Sequence, residues 1–275
     1  MRFSLGRVGL AFAAAILAVA GPARAQPPAT PVRLSLAYDG RLIIKVLDIH
    51  FDEQATPTGF GAAASLRSYG ILAAFKTFDV KASARGRIED GAPRPGQFLY
   101  DNRDGKRERK VQVVWRQGEV AMTSTPVFSN LGQPPASLEQ KLASADPLTQ
   151  LMRIALAPTP AGVCTGAPRF FDGKQLYALE FEHGQTIAVG PSQRALGVTS
   201  LVRCDVHYRE IAGFKPKPPE KRNQGLKSQI SVAFGQLGAG GPWVIERISA
   251  DTVLGPAVIE LKHVQMSRDV SPPQD

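Results

Sequence analysis

The chain has 275 residues, a formal charge of +9 and two cysteines. That length can bury a sizeable core as one large domain or two small ones. No apolar stretch reaches the roughly 20 residues needed to span a bilayer. The two cysteines do not have the CxxC spacing of a redox pair.

Met1 to Arg7 is short and basic, and Val8 to Ala20 is an uninterrupted apolar run of 13 residues. Gly21-Pro22 then precedes Ala23-Arg24-Ala25, a small-x-small cleavage site. This is the layout of a signal peptide: charge to orient it, an apolar stretch to enter the translocon, small side chains to fit the peptidase. Cleavage after Ala25 and a periplasmic destination are expected, the run being too short for a membrane anchor. No cysteine lies near the cleavage site and there is no twin-arginine pair, so neither a lipid anchor nor export in the folded state is expected. Loss of Arg2, Arg7 and Arg24 lowers the formal charge from +9 to +6. No nucleic acid partner is expected for an exported protein; a charged partner would be an anionic membrane surface or polysaccharide. In an oxidising compartment, Cys164 and Cys204 are expected to form a disulfide, the alternative being two free buried thiols.

Gln26 to Pro31 is a proline-rich leader expected to be disordered, and a β-rich domain is expected over 32–268 with a flexible tail at 269–275. Leu34, Leu36 and Tyr38 share one face of the first strand, and Arg41 to Phe51 continues as a strand after an Asp39-Gly40 turn. A short helical turn is expected between Tyr69 and Phe75. Val80 to Glu89 alternates without a break, the sign of a half-buried antiparallel strand. Asp-Gly pairs at 39–40, 90–91, 104–105 and 172–173 supply the positive-φ residues of tight hairpins, and Gln117-Gly118 and Gly238 to Pro242 separate further strands. About a dozen strands result. Ser137 to Ala157 breaks the pattern as a helical region, its best part beginning with Asp146 as N-cap and Pro147 at the first helical position. Leu148, Leu151, Met152, Ala155 and Leu156 make its apolar stripe, suited to packing on a sheet face or plugging a barrel end. The fold class is therefore mainly β: one large antiparallel curved open sheet, or a barrel-like domain, with one packing helix. The strands before and after the helix could form one continuous sheet or two halves.

From Asp146 onward five pieces occur in order: Asp146-Pro147-Leu148-Thr149; Cys164; Phe171-Asp172-Gly173-Lys174-Gln175-Leu176-Tyr177; Arg203-Cys204-Asp205-Val206-His207-Tyr208; and Ile211-Ala212-Gly213-Phe214. Together they resemble the bacterial envelope family called domain of unknown function 3108. The resemblance covers nearly all of the mature chain and is sharpest from Asp146 to Phe214. The amino-terminal half matches only in strand layout and in the Gly105-Lys106-Arg107-Glu108-Arg109 hairpin. It implies a periplasmic β-rich protein of Gram-negative bacteria with its two cysteines paired, and no activity. Curved open sheets of this size also serve as bacterial lipoprotein carriers, an analogy of fold alone.

Candidate chemistry is sparse. Asp205 and His207 lie at i, i+2 on one strand face, a carboxylate beside an imidazole that could orient a metal ligand or a general base. His50, Asp52 and Glu53 form a second small cluster at a strand end. His183 and His263 have no evident partner. GxSxG, SxxK, HExxH and EF-hand patterns do not occur, and the glycine runs lack the lysine or helix start of a phosphate cradle. No catalytic residue, metal or cofactor is expected. Arg103 to Lys110 is a basic hairpin whose Lys106, Arg107, Arg109 and Lys110 could dock on an anionic envelope surface, and Lys215 to Arg222 is a basic proline-rich loop. The expectation is a non-enzymatic periplasmic binding or scaffolding protein whose partner is an unidentified envelope component: protein, lipid or peptidoglycan. Two alternatives stand beside it: a carrier of a lipid or other hydrophobic ligand in a β cavity, and a hydrolase using His207 or His50.

Overall fold

The computed structural model describes residues 31–70, 73, 77–104, 108–216, 230–252 and 255–268. The expected signal peptide, most of the leader, the tail, most of the Tyr69–Phe75 turn, and Lys106 and Arg107 lie outside the described residues. So does most of the Lys215–Arg222 loop.

Among the described residues thirteen strands form one antiparallel sheet. They are β1 (Val32–Arg41), β2 (Lys45–Ala55), β3 (Gly59–Ser68), β4 (Asp79–Glu89), β5 (Ala92–Asn102), β6 (Arg109–Arg116) and β7 (Glu119–Thr125). After the helical segment come β8 (Arg169–Phe171), β9 (Leu176–Ile187), β10 (Val198–Ala212), β11 (Ile230–Leu237), β12 (Trp243–Thr252) and β13 (Gly255–Ser267). The sheet is continuous, because β1 pairs with β13 and joins the two runs of strands. Its free edges are β7 and β8, the two strands that flank the helices.

Most of the turns follow the local chemistry. Asp90 (φ 51°) and Gly91 (φ 75°) make a tight turn between β4 and β5, and Gly118 (φ 74°) does so between β6 and β7. Asp172 Oδ1 accepts from the backbone N–H of Lys174 at 2.9 Å and of Gln175 at 2.7 Å, closing the turn from β8 to β9. Asp39-Gly40 departs from expectation. Both residues stay inside β1, paired with Asp48 and Leu47, and the chain reverses at residues 42–44. A Cβ at Gly40 would lie 2.8 Å from Leu47 Cβ, so the glycine here admits a neighbouring side chain instead of turning the chain.

The helical segment is also finer than its apolar stripe suggests. It divides into α1 (Leu138–Leu142), α2 (Pro147–Ala155) and α3 (Pro160–Val163), and α4 (Pro191–Ala195) follows between β9 and β10. The break between α1 and α2 has a cause: Ala145 leaves the helix to bridge β8, its N–H donating to Arg169 O at 3.2 Å and its O accepting from Phe171 N–H at 2.9 Å. Asp146 then caps α2.

α2 lies in the rolled sheet against β3, β4, β5 and β12. Ala62 and Ala84 on the inner face are small, so Leu148 and Met152 approach closely and share one buried cluster with Phe60, Phe98, Val111 and Val113. Phe171 and Leu176, from the opposite end of the sheet, belong to the same cluster. The sheet is thus rolled until its ends face one another, without a ladder between β7 and β8. The seam is covered by residues 126–145: Gln133 N–H donates to Phe214 O at 2.9 Å, Gly213 N–H to Pro134 O at 2.8 Å, and Trp115 Nε1–H to Lys141 O at 3.3 Å. At β8 the Ala145 bridge takes up part of the edge backbone, which would otherwise be open to pairing with another chain.

Cys164, just after α3, is disulfide-bonded to Cys204 of β10 with Cα atoms 5.6 Å apart. The bond lies in a cluster with Val163, Val202, Val206, Val232, Phe234 and Trp243. Gly184 of β9 faces it, and a Cβ there would come within 2.9 Å of Cys164 Cβ.

Candidate functional site

Among the described residues, two of the spaces that could hold a ligand lie on opposite faces of the sheet. The inner one lies between strands β2–β4 and strands β12–β13. Its volume is about 260 Å³, and its walls are Tyr38, Ile49, Phe51, Leu66, Val80, Ala82, Ile245, Ile248 and Ile259, with Ala64 and Ser65 at its margin. No polar surface lines it. The wall follows from strand alternation: Ile49 and Phe51 share parity on β2, and their cross-strand partners Leu66 and Ala64 continue the apolar face on β3.

Behind Tyr38, Phe51 and Ile245, which line both spaces, lies a void of about 20 Å³. Its other walls are Leu36, Glu53, Leu151, Ile154, Trp243 and Val244. Here the chemistry changes. Trp243 is buried and its Nε1–H has no hydrogen-bond partner. Glu53 is buried as well, and among the described residues its carboxyl has neither a hydrogen bond nor an ion pair. Burial pushes the Glu53 carboxyl from its ordinary 4.5 up to about 7. Burial also raises the Tyr38 hydroxyl well above its ordinary value, helped by the nearby Glu53 and Glu246. Glu246, by contrast, is satisfied, accepting from Gln193 Nε2–H at 3.0 Å.

The outer space is a groove of about 880 Å³ across β2 to β7. Two cross-strand rows build it. One runs His50, Ser65, Lys81, Asp101, Lys110, Thr125, and the other Asp52, Ala63, Ser83, Leu99, Gln112, Thr123. Six strands give it a length of about 24 Å. Its floor is low because Ala63, Ser65 and Ser83 are small, which brings main chain to the surface. Lys45 holds Asp48 at 2.5 Å and Arg103 holds Asp101 at 2.9 Å, whereas Lys81 and Lys110 have no ion pair among the described residues.

The expected clusters are rearranged. His50 and Asp52 face the groove, but Glu53 turns to the opposite face, and β2 runs on to Ala55, so none of them sits at a solvated strand end. The sequence signal for this was available: Glu53 has the parity of Ile49 and Phe51, and extending the strand by two residues places it on the apolar face. Trp243 carried no such signal.

His183 does have partners. Its Nδ1 lies 3.7 Å from both Glu182 Oε2 and Asp205 Oδ2, and His207 Nε2 lies 3.6 Å from the same Glu182 oxygen. His183 (φ 54°) sits at a β-bulge opposite Arg203 to Asp205, which aims its ring at Asp205. All four side chains are solvent-accessible, and no group of three or more metal-ligating residues able to hold an ion occurs among the described residues. In the groove, Ser65 stands opposite His50, but no hydrogen bond joins them. The strand amides around them serve the ladders, so no backbone N–H is free beside the pair. Of the basic hairpin, Lys110 lines the groove, while Arg109 donates to Pro126 O and lies over the Phe128 ring at 4.3 Å.

No family model matches the chain, and no curated protein matches it, so the likeness to domain of unknown function 3108 rests on the residues quoted above. Among solved structures, a beta-barrel-like protein of Domain of Unknown Function DUF1849 from Brucella abortus is similar with a TM-score of 0.46 and 9% identity, covering 86% of this chain and 99% of that one. A protein from Parabacteroides distasonis ATCC 8503 named "putative lipoprotein" gives a TM-score of 0.29 and 10% identity, over 86% and 95% of the two chains. Both scores fall below 0.5, and nothing about function passes from either protein to this one.

Proposed function

We propose that this is an exported, non-enzymatic binding protein of the bacterial envelope that holds a small apolar ligand in the inner cavity of its rolled sheet. The observation that carries this is the cavity wall, which is apolar throughout. Ligand sites are typically apolar pockets of roughly 300–1,000 Å³ with a few convergent polar groups, often at the mouths of β-barrels. At about 260 Å³ the cavity suits a single-chain ligand. α2 fills the rest of the interior. Export is supported by the Cys164–Cys204 disulfide, which belongs to oxidising compartments. Among the described residues no helix is long and apolar enough to cross a membrane. The family resemblance, with its periplasmic implication, agrees with this reading.

Organic extraction of the purified protein followed by mass spectrometry tests it. A stoichiometric apolar compound is expected, together with uptake of a fluorescent fatty acid by the extracted and refolded protein. A clean extract with no uptake overturns the reading.

The groove favours a second reading, contact with an anionic envelope component, because Lys81 and Lys110 line it without ion-pair partners among the described residues. Under this reading Lys81→Glu with Lys110→Glu weakens co-sedimentation with anionic vesicles or peptidoglycan at low salt, and unchanged sedimentation rejects it.

A further inference from the structure

The turn between β1 and β2 is built against turn chemistry. Hairpin turns ordinarily use glycine, asparagine, aspartate or proline, as Asp90-Gly91 and Gln117-Gly118 do here. Leu42, Ile43 and Ile44 take those places instead. Ile43 is 91% exposed, the most of any large apolar side chain described, and Ile44 is 54% exposed. Tyr69, half-exposed, lies beside them: its N–H donates to Val46 O at 2.8 Å, and Lys45 Nζ stands 4.5 Å over its ring. Single exposed apolar residues are ordinary, but a run of three at a projecting tip is not.

The collar around the tip says what it meets. Arg41 pairs with Asp39 at 3.1 Å, and Lys45 pairs with Asp39 at 2.8 Å and with Asp48 at 2.5 Å. Two cations and two carboxylates thus sit side by side with no net charge. That pattern complements the adjoining phosphate and ammonium of a zwitterionic head group and gives no attraction to an anionic surface. A protein partner fits poorly, because three side chains cannot supply the roughly 800 Å² per partner of a specific interface. A bilayer asks only for depth. The isoleucines reach the acyl chains, Tyr69 rests at head-group level, and the Lys45 stem lies along its ring with the ammonium in water. The tip also stands at the cavity's end of the sheet. Gly40, two residues before it, pairs with Ile259, and Ile49, Leu66 and Val80 face one another in register on β2, β3 and β4.

We propose that residues 42–44 insert into the surface of a zwitterionic phospholipid bilayer and set the end of the apolar cavity against the membrane. The insertion stands on the tip alone and holds for an empty cavity as well as a filled one.

Flotation of the full mature chain with vesicles of phosphatidylethanolamine and phosphatidylcholine, at low and high salt, tests it. The native protein is expected to float equally at both, because apolar insertion is not screened. Ile43→Ser with Ile44→Ser is expected to lower the partition coefficient at least tenfold with an unchanged thermal transition, since both side chains are exposed. Ile43→Trp keeps an apolar tip and should still float, with a blue shift of its fluorescence on vesicle addition. No flotation of the native protein overturns the insertion, and so does flotation that the serine variant retains. Flotation only on phosphatidylglycerol vesicles, abolished by salt, overturns it in favour of an electrostatic contact. A concentration-dependent dimer in sedimentation that the serine variant loses overturns it in favour of a second copy. Organic extraction of the serine variant reads the cavity separately, so the apolar-ligand reading stands or falls on its own.

Discussion

Asp146 grips Thr149 twice: its Oδ1 accepts from the Thr149 backbone N–H at 2.8 Å, and its Oδ2 from the Thr149 hydroxyl at 2.5 Å. Both residues are buried, so this cap starts α2 inside the core and not at the surface. Asp146→Ala removes the cap and strands a buried hydroxyl, and it should lower the unfolding free energy by about 2–4 kcal/mol. Asp146→Asn keeps an acceptor for the amide and should cost less than half as much. Chemical denaturation of the three proteins checks the order.

Glu53 makes stability fall as pH rises. Its carboxyl titrates near 7 in the folded protein and near 4.5 when unfolded, so between those values the folded state holds the extra proton. Stability is greatest below 4.5 as far as this group is concerned, declines through the window, and levels off above 7. The contribution is about 3 kcal/mol. Glu53→Gln removes it, so the variant should gain on the native protein at pH 8 relative to pH 5. Parallel pH profiles for the two proteins would contradict the assignment.

The Cys164–Cys204 bond closes a loop with a sequence separation of 40. In the chain-entropy description such a loop contributes about 4 kcal/mol. Cys164→Ser with Cys204→Ser should lose stability of that order, while thiol labelling of the denatured, unreduced native protein should find no free cysteine. Two labelled sites would refute the pairing.

Gly213 (φ 84°) lies where the seam segment, β10 and the β8–β9 turn meet, and a Cβ there would sit 1.9 Å from Lys174 O. Gly213→Ala therefore combines backbone strain with a collision, and should cost about 2 kcal/mol or more. Gly118 (φ 74°) has nothing within 4 Å of such a Cβ, so Gly118→Ala isolates the strain and should cost only about 1 kcal/mol. Equal losses at the two sites would mean that the seam is not tightly closed.

Much of this architecture could be read from the chain because it is built from local rules. Alternation placed Leu34, Leu36 and Tyr38 on a buried face, and Asp146-Pro147 marked the start of α2. The same rules misplaced the turn at Asp39-Gly40, because a glycine that admits Leu47 looks identical to one that turns the chain. His183 has its partners because strand register brings Glu182 and Asp205 to it, and register between β9 and β10 is not a local property.

The sequence by itself determined the mainly β character, the strand faces and the helix cap, since period-2 alternation and capping chemistry act over a few neighbouring residues. Only the tertiary structure decided that β1 closes onto β13, that the seam is covered by residues 126–145, and that Glu53 and Trp243, distant in sequence, share one void. Those relations depend on how far a twisted sheet rolls before its ends meet. That is set by the sum of all its cross-strand contacts and by the helix packed within it.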